Sequence, residues 1–172
     1  SHDGRGLASR NGKRVFVEGA LPTERVVAEI NRRRSRFEEG KVVELLESAV
    51  NRIEPKCAQA GICGGCSLQH LAGGEQRLFK EQMLGEQLHH FGELEVDEML
   101  PMTSGPEYHY RRKARLGVRY VTKRDEVLVG FREKGSSFIA DIERCHVLDK
   151  RVGDILSDLR RVVQRTSIYR SI

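Results

Sequence analysis

Three of this chain's four cysteines fall within ten residues, Cys57-Ala58-Gln59-Ala60-Gly61-Ile62-Cys63-Gly64-Gly65-Cys66, and the fourth, Cys145, lies far downstream. Any fold must account for a C-x5-C-x2-C cluster with one remote partner, and three kinds of chemistry compete for it. Disulfides suit small secreted frameworks, but nothing in this sequence signals export, and a reducing interior keeps thiols free. Zinc is usually held by two CxxC-like pairs or by CxxC with paired histidines, which differs from this spacing without excluding it. Iron–sulfur clusters take four thiolates, commonly three close in sequence and one distant. A 4Fe-4S cube tolerates uneven spacing because each thiolate meets its own iron corner. Four thiols are supplied here with none to spare. Gly64 and Gly65, with Gly61 before them, favour the cluster, because glycine lets backbone N–H groups approach sulfur where side chains would collide. His146 follows Cys145 and is an alternative ligand, but with four thiolates available it is expected as a neighbour of the site.

A length of 172 residues bounds one ordinary domain or two small ones. No apolar run approaches the roughly eighteen residues of a membrane span, so a soluble chain without a membrane partner is expected. The sequence starts Ser1-His2-Asp3, with neither an initiator Met nor a basic-then-apolar leader, and is read as cut from something longer. A cytoplasmic monomer is the expectation. The formal net charge of +5 is unevenly spread: +3 over residues 1–56, −6 over 57–107 and +8 over 108–172. Two basic blocks around an acidic one are the footprint of a polyanionic partner, since phosphate contacts release counterions. The competing reading is a solvated surface.

Residues 4–48 read as four or five short strands, a small β-barrel. Asn11-Gly12 between Gly6-Leu7-Ala8 and Val15-Phe16-Val17 is a hairpin signal, because a type I′ turn needs positive φ at both central positions. Arg25–Ile30 and Lys41–Leu46 supply further strands, and between them lies Arg32-Arg33-Arg34-Ser35-Arg36-Phe37. From Glu75 to Phe91 the pattern turns helical, with Leu78, Phe79, Leu84, Leu88 and Phe91 loosely on one side and Gly92 as the C-terminal stop. A second β-region is expected over 108–142. There Tyr110, Ala114, Leu116, Val118 and Tyr120 share one face and Arg111, Lys113, Arg115 and Arg119 the other, before a turn at Lys123–Glu126 into Val127–Phe131. Asp149 is placed to cap one amphipathic helix carrying Val152, Ile155, Leu156, Leu159, Val162 and Val163. The fold class expected is mainly β with α: a small OB-like barrel over 1–52, then an α+β domain with antiparallel strands over 53–172, incomplete at its C-terminus.

With Cys63-Gly64-Gly65-Cys66-Ser67-Leu68-Gln69-His70 following a small basic β-barrel, the chain resembles the N-terminal part of the bacterial RNA uracil-5-methyltransferases, in the branch that modifies 23S ribosomal RNA. Gly4–Ala8 and Val17–Glu24 resemble that family's TRAM domain, an OB-like RNA-binding barrel. Tyr110–Arg115, Gly130-Phe131-Arg132 and the approach to Cys145 resemble its central domain. The resemblance implies that Cys57, Cys63, Cys66 and Cys145 ligate a 4Fe-4S cluster and that 23S rRNA is the partner. RNA contacts are expected from the basic cluster Arg32, Arg33, Arg34 and Arg36, from the alternating strand face Arg111, Lys113, Arg115 and Arg119, and from Arg132. The resemblance further implies a parent enzyme in which a separate domain binds S-adenosylmethionine and uses a cysteine nucleophile. This sequence has no fifth cysteine and no glycine-rich loop after a parallel strand, so no catalytic residue is assigned and the chain alone is expected to be inactive. Two rival functions remain. Radical S-adenosylmethionine enzymes want C-x3-C-x2-C, whereas the first spacing here is five. An RNA-binding adaptor with a structural zinc would use the basic blocks equally well.

Overall fold

The computed structural model describes residues 1–171. At Asn11 (φ 51°) and Gly12 (φ 77°) the backbone enters the left-handed region twice in succession. This is the two-residue turn whose twist matches paired strands, and it joins β1 (Gly6–Arg10) to β2 (Lys13–Glu18) as an antiparallel hairpin. A second hairpin joins β3 (Arg25–Arg33) to β4 (Phe37–Glu47), and β4 then lies parallel to β2, giving the order β1-β2-β4-β3. Alternation does the sorting: Val15, Val17 and Ala20 are buried and pack with Val26, Ala28, Ile30 and Val42 on one face. Glu38 lies in register with Val15 and is buried with them, neutralised by Arg10 and Arg33.

The described residues divide into two compact units, the first made of Ser1–Glu54 and Ser67–Ser104 and the second of Pro55–Cys66 and Gly105 onward. In unit 1 the returning segment 68–72 runs alongside 51–53. Ile53 N–H donates to the His70 carbonyl at 3.0 Å and Ala72 N–H to the Asn51 carbonyl at 3.0 Å. Leu21, Ala49 and Leu71 form a small core there with Leu68 and Phe79. Glu24 is the polar keystone. Its side chain is fully shielded, accepts two bonds from Arg52 at 2.5 and 2.7 Å, and accepts the N–H groups of Leu21 and Ala49. Burial opposes its charge, but these donors hold its pKa down at about 2.

Helix α1 (Gly73–Gly92) forms as expected, but its apolar residues do not make one buried stripe. At about 100° per residue, Leu84, Leu88 and Phe91 cluster on the side away from Phe79. Phe79 packs while Leu78, Leu84 and Phe91 stay exposed. The left-handed residue that ends the helix is Glu93 (φ 51°), one position beyond the expected Gly92, and its N–H donates to the Leu88 carbonyl.

Unit 2 has a shorter sheet than the sequence suggests. β5 (Gly117–Val121) and β6 (Glu126–Gly130) pair antiparallel across the expected turn, in which Asp125 is left-handed (φ 49°). Residues 108–116 form no strand of that sheet. His109 has φ 59°, which interrupts an extended run, and the backbone of His109 and Arg111 hydrogen-bonds to 146–149. The expected C-terminal helix is two helices, α2 (Lys150–Gly153) and α3 (Leu156–Gln164), with Asp149 capping the first by accepting the Arg151 N–H. The break falls where the Gly153 carbonyl turns aside to accept the N–H of Cys145 at 2.9 Å. Leu156 is fully buried and Leu159 packs beside it, whereas Val152, Ile155 and Val162 are exposed. No helix among the described residues is long and apolar enough to cross a membrane.

Candidate metal centre and nucleic-acid surfaces

All four cysteines lie in unit 2 and all four are free thiols. Beyond Gly130 the chain continues through 131–133 into a turn at 134–135, receiving two flanking segments. On one side the Ala140 N–H donates to the Phe131 carbonyl and the Glu133 N–H to the Phe138 carbonyl, both at 2.9 Å. On the other, the Gly64 N–H donates to the Arg132 carbonyl and the Lys134 N–H to the Ile62 carbonyl, both at 2.8 Å, which pairs Cys63 with Glu133. The cysteine segment is thus docked as an extra edge. Gly64 and Gly65 are required by this docking: a Cβ at 64 would stand 2.9 Å from the Arg132 carbonyl oxygen and one at 65 would stand 2.8 Å from the Phe131 ring. The Gly65 N–H also points at sulfur, donating to Cys63 Sγ at 3.4 Å. A Cβ at Gly61, by contrast, meets nothing.

Cys145 reaches the same place from the opposite end of unit 2. It is buried with Cys63 among Phe131, Ala140, Ile142, Val147, Leu148 and Leu156, and Cys66 packs against that cluster. The backbone of Cys145 is held by Gly153, where a Cβ would collide with the Cys145 carbonyl. Cys57 lines an adjoining cleft of about 410 Å3 with Lys56, Gln59, Asp141, Arg144 and His146. The Cys63 thiol is pushed up by burial and, against the pull of the Gly65 N–H, further by the charges of Cys66, Cys145 and Cys57. Cys57, Cys66 and Cys145 are thus each within electrostatic reach of Cys63. No three Cys, His, Asp or Glu side chains among the described residues stand as a ready metal-binding group. Burial pushes the His146 imidazole down, reinforced by Lys56, Arg144 and His109, and its ring packs edge-on against Tyr108.

The basic residues separate by partner. Arg32 bonds Glu39 and Arg33 lies beside Glu38, while Arg34 and Arg36 are exposed in the β3–β4 turn. Arg111, expected on a strand face, instead lays its guanidinium over the Phe131 ring at 4.9 Å and reaches the Gly65 carbonyl at 3.5 Å, bracing the cysteine segment. Lys113 and Arg115 are exposed in irregular chain, Arg119 is exposed on β5, and Arg132 is exposed beside Cys63's partner residue. The one-sided strip expected from 111 to 119 is therefore not built on a single strand. The bracing roles of Phe131, Arg111 and Gly153 had no sequence signal, since each acts through contacts distant in sequence.

No protein-family model matches the chain. Its fold is similar to part of a solved structure, that of the Pyrococcus abyssi tRNA (uracil-54, C5)-methyltransferase in complex with S-adenosyl-L-homocysteine, with a TM-score of 0.59 and 24% identity, covering 94% of this chain and 37% of that one. The sequence relatives are more specific. The 23S rRNA (uracil(1939)-C(5))-methyltransferase RlmD of Nitrosococcus oceani is 49% identical over 170 residues, 98% of this chain, and that of Alkalilimnicola ehrlichii is 48% identical over 168 residues. The chain is a homologue of the 23S rRNA (uracil-C5)-methyltransferase family and spans 38% of the length of either relative.

Proposed function

We propose that this chain is the RNA-binding and 4Fe-4S-binding portion of an S-adenosylmethionine-dependent 23S rRNA uracil-C5 methyltransferase, with a TRAM-type, OB-like domain over residues 1–52 and a cluster-binding central domain over 53–172. The observation that carries the reading is the convergence of Cys63, Cys66 and Cys145 in one packed cluster, with Cys57 within electrostatic reach. Cys57, Cys63, Cys66 and Cys145 are the ligands in this reading. When bound, the cluster supplies four iron–thiolate bonds that cross-link residues 57–66 to residue 145. The protein's own contribution is positional. Pairing of 62–64 with 132–134 fixes Cys63, Gly153 fixes Cys145, and the Gly65 N–H favours a charged sulfur at Cys63. RNA contact is assigned to the basic stretches Arg32–Arg36 and Arg111–Arg119 with Arg132, and 23S rRNA is the partner.

Protein purified without oxygen tests this reading. A brown preparation with a broad band near roughly 400 nm is expected from iron–thiolate charge transfer; a colourless one with stoichiometric zinc contradicts it. With all four thiols committed to the centre in this reading, no cysteine of the 172-residue chain is left to attack uracil C6. Incubation with labelled S-adenosylmethionine and unmodified 23S rRNA should transfer no label.

A further inference from the structure

Register assigns every residue at the turn end of the unit 1 sheet to a face. Val15 and Val17 point into the core, so Arg14 and Phe16 point away from it, and the parallel β2–β4 pairing sets Arg14 beside Phe37 and Phe16 beside Glu39 on that outer face. Phe16 and Phe37 meet edge to face with centroids 5.6 Å apart, both partly exposed. Arg5 lays its guanidinium over Phe16 at 4.8 Å and is pinned there by Asp3 and Glu39. Two aromatic rings and one guanidinium thus form a platform of planar groups on a β-surface that the core does not use.

The cations around this platform are of two kinds. Glu38 and Glu39 neutralise Arg10 and Arg33, and Arg5 and Arg32, respectively. Arg14, Arg34 and Arg36 are exposed and have no carboxylate partner among the described residues. Arg14 follows the β1–β2 turn, and Arg34 and Arg36 lie in the β3–β4 turn, closed by the Arg34 N–H donating to the Phe37 carbonyl at 2.9 Å. The Arg14–Phe37 register brings the two turns to the same end of the sheet.

We infer that this outer face is a binding site for single-stranded RNA, with an unpaired base stacked at Phe37 and the flanking phosphates held by Arg14, Arg34 and Arg36. The inference rests on the proposed RNA-binding function and deepens it. It names Arg14 and the Phe16–Phe37 pair, and it takes Arg32 and Arg33 as already neutralised. Stacking on aromatic and guanidinium planes is the usual means of reading unpaired bases, and phosphate contacts need cations not already paired within the protein.

The test uses the full chain and a fluorescent single-stranded RNA of about 12 nucleotides, within the span such surfaces cover. Binding is followed by anisotropy as salt is varied. The triple variant R14Q/R34Q/R36Q should reduce the log–log salt slope by about 2 and weaken binding on the order of a hundredfold at 0.1 M salt, at about 0.7 per lost contact. Phe37→Leu should weaken binding about tenfold. A control of equal charge change, K123Q/K150Q/R165Q, should bind within about threefold of the parent, because it removes no proposed phosphate contact. Photo-crosslinking of the parent protein to 5-bromouridine RNA reports independently of variant folding, and adducts on the peptides holding Phe16 or Phe37 are expected. If the parent binds but the triple variant and Phe37→Leu match it, or the control loses as much, or adducts form only elsewhere, the inference is overturned while the RNA-binding function stands. If the parent binds no RNA, both fall.

Discussion

The sheet of unit 1 and the cysteine-bearing part of unit 2 are stabilised by different physics. In the sheet, two hairpins align alternating side chains so that Val15, Val17, Val26, Ala28, Ile30 and Val42 cover one another, and continuous ladders satisfy the backbone. Around the cysteines the backbone is tied by isolated bridges, 62–64 against 132–134 and 109–111 against 146–149, and by glycines that permit close approach. The first region closes its own core. The second gathers two buried thiols and two partly exposed ones, with the other three within electrostatic reach of Cys63, where negative charge on them disfavours ionising Cys63. If the proposed centre forms, it would act as a folding element of unit 2 and leave the sheet of unit 1 unaffected.

The largest effect that would break this contrast is loss of a ligand. Cys145→Ser should lower protection of the Gly64, Lys134 and Ala140 amides by about 3 kcal/mol or more, since metal binding free energy is folding free energy. Amides of Val15, Val17 and Val42 should exchange as in the parent. Hydrogen exchange with peptide resolution decides it, and equal loss in both regions would refute the separation.

Within unit 1 the corresponding weak point is ionic. Arg52→Ala leaves the shielded Glu24 carboxylate without its cation and should cost about 3 kcal/mol in denaturant unfolding. The same pair sets a pH dependence. Glu24 titrates near 2 when folded, below its ordinary 4.5, so protonation favours the unfolded state. Its stabilisation is complete above about pH 4.5 and is lost as the pH falls through 2. Acid unfolding of the sheet should show this component in the parent and lack it in Glu24→Gln.

Smaller effects sharpen the picture of unit 2. Gly153→Ala forces a methyl against the Cys145 carbonyl and should cost about 1–3 kcal/mol, with reduced iron retention. Gly61→Ala, where a methyl meets nothing, should stay within about 0.5 kcal/mol of the parent. A loss at residue 61 comparable to that at 153 would contradict the docking account of the glycines.

The same contrast governs what the sequence could reveal. The Asn11-Gly12 turn, the strands beside it and the β5–β6 hairpin are local, written in turn residues and in alternation, and they are found where expected. The expected strand over 108–116 failed because the partners of His109 and Arg111 are residues 146–149, and no local pattern announces such pairing. The single C-terminal helix failed for a similar reason, as the pull of Cys145 on Gly153 is a contact invisible in helical periodicity. In the site, the cysteine spacing was legible. Arg111 was legible only as a charge, and its place over Phe131 depends on the packed fold.

The central claim is that Cys57, Cys63, Cys66 and Cys145 together hold one 4Fe-4S cluster. Iron and acid-labile sulfide measured on anaerobically purified parent protein and on the four single Cys→Ser variants test it most directly. The account predicts about four irons and four sulfides per chain in the parent, with cluster content sharply reduced in each variant, Cys145→Ser included. Zinc without sulfide in the parent, or a full cluster retained in Cys145→Ser, would contradict it.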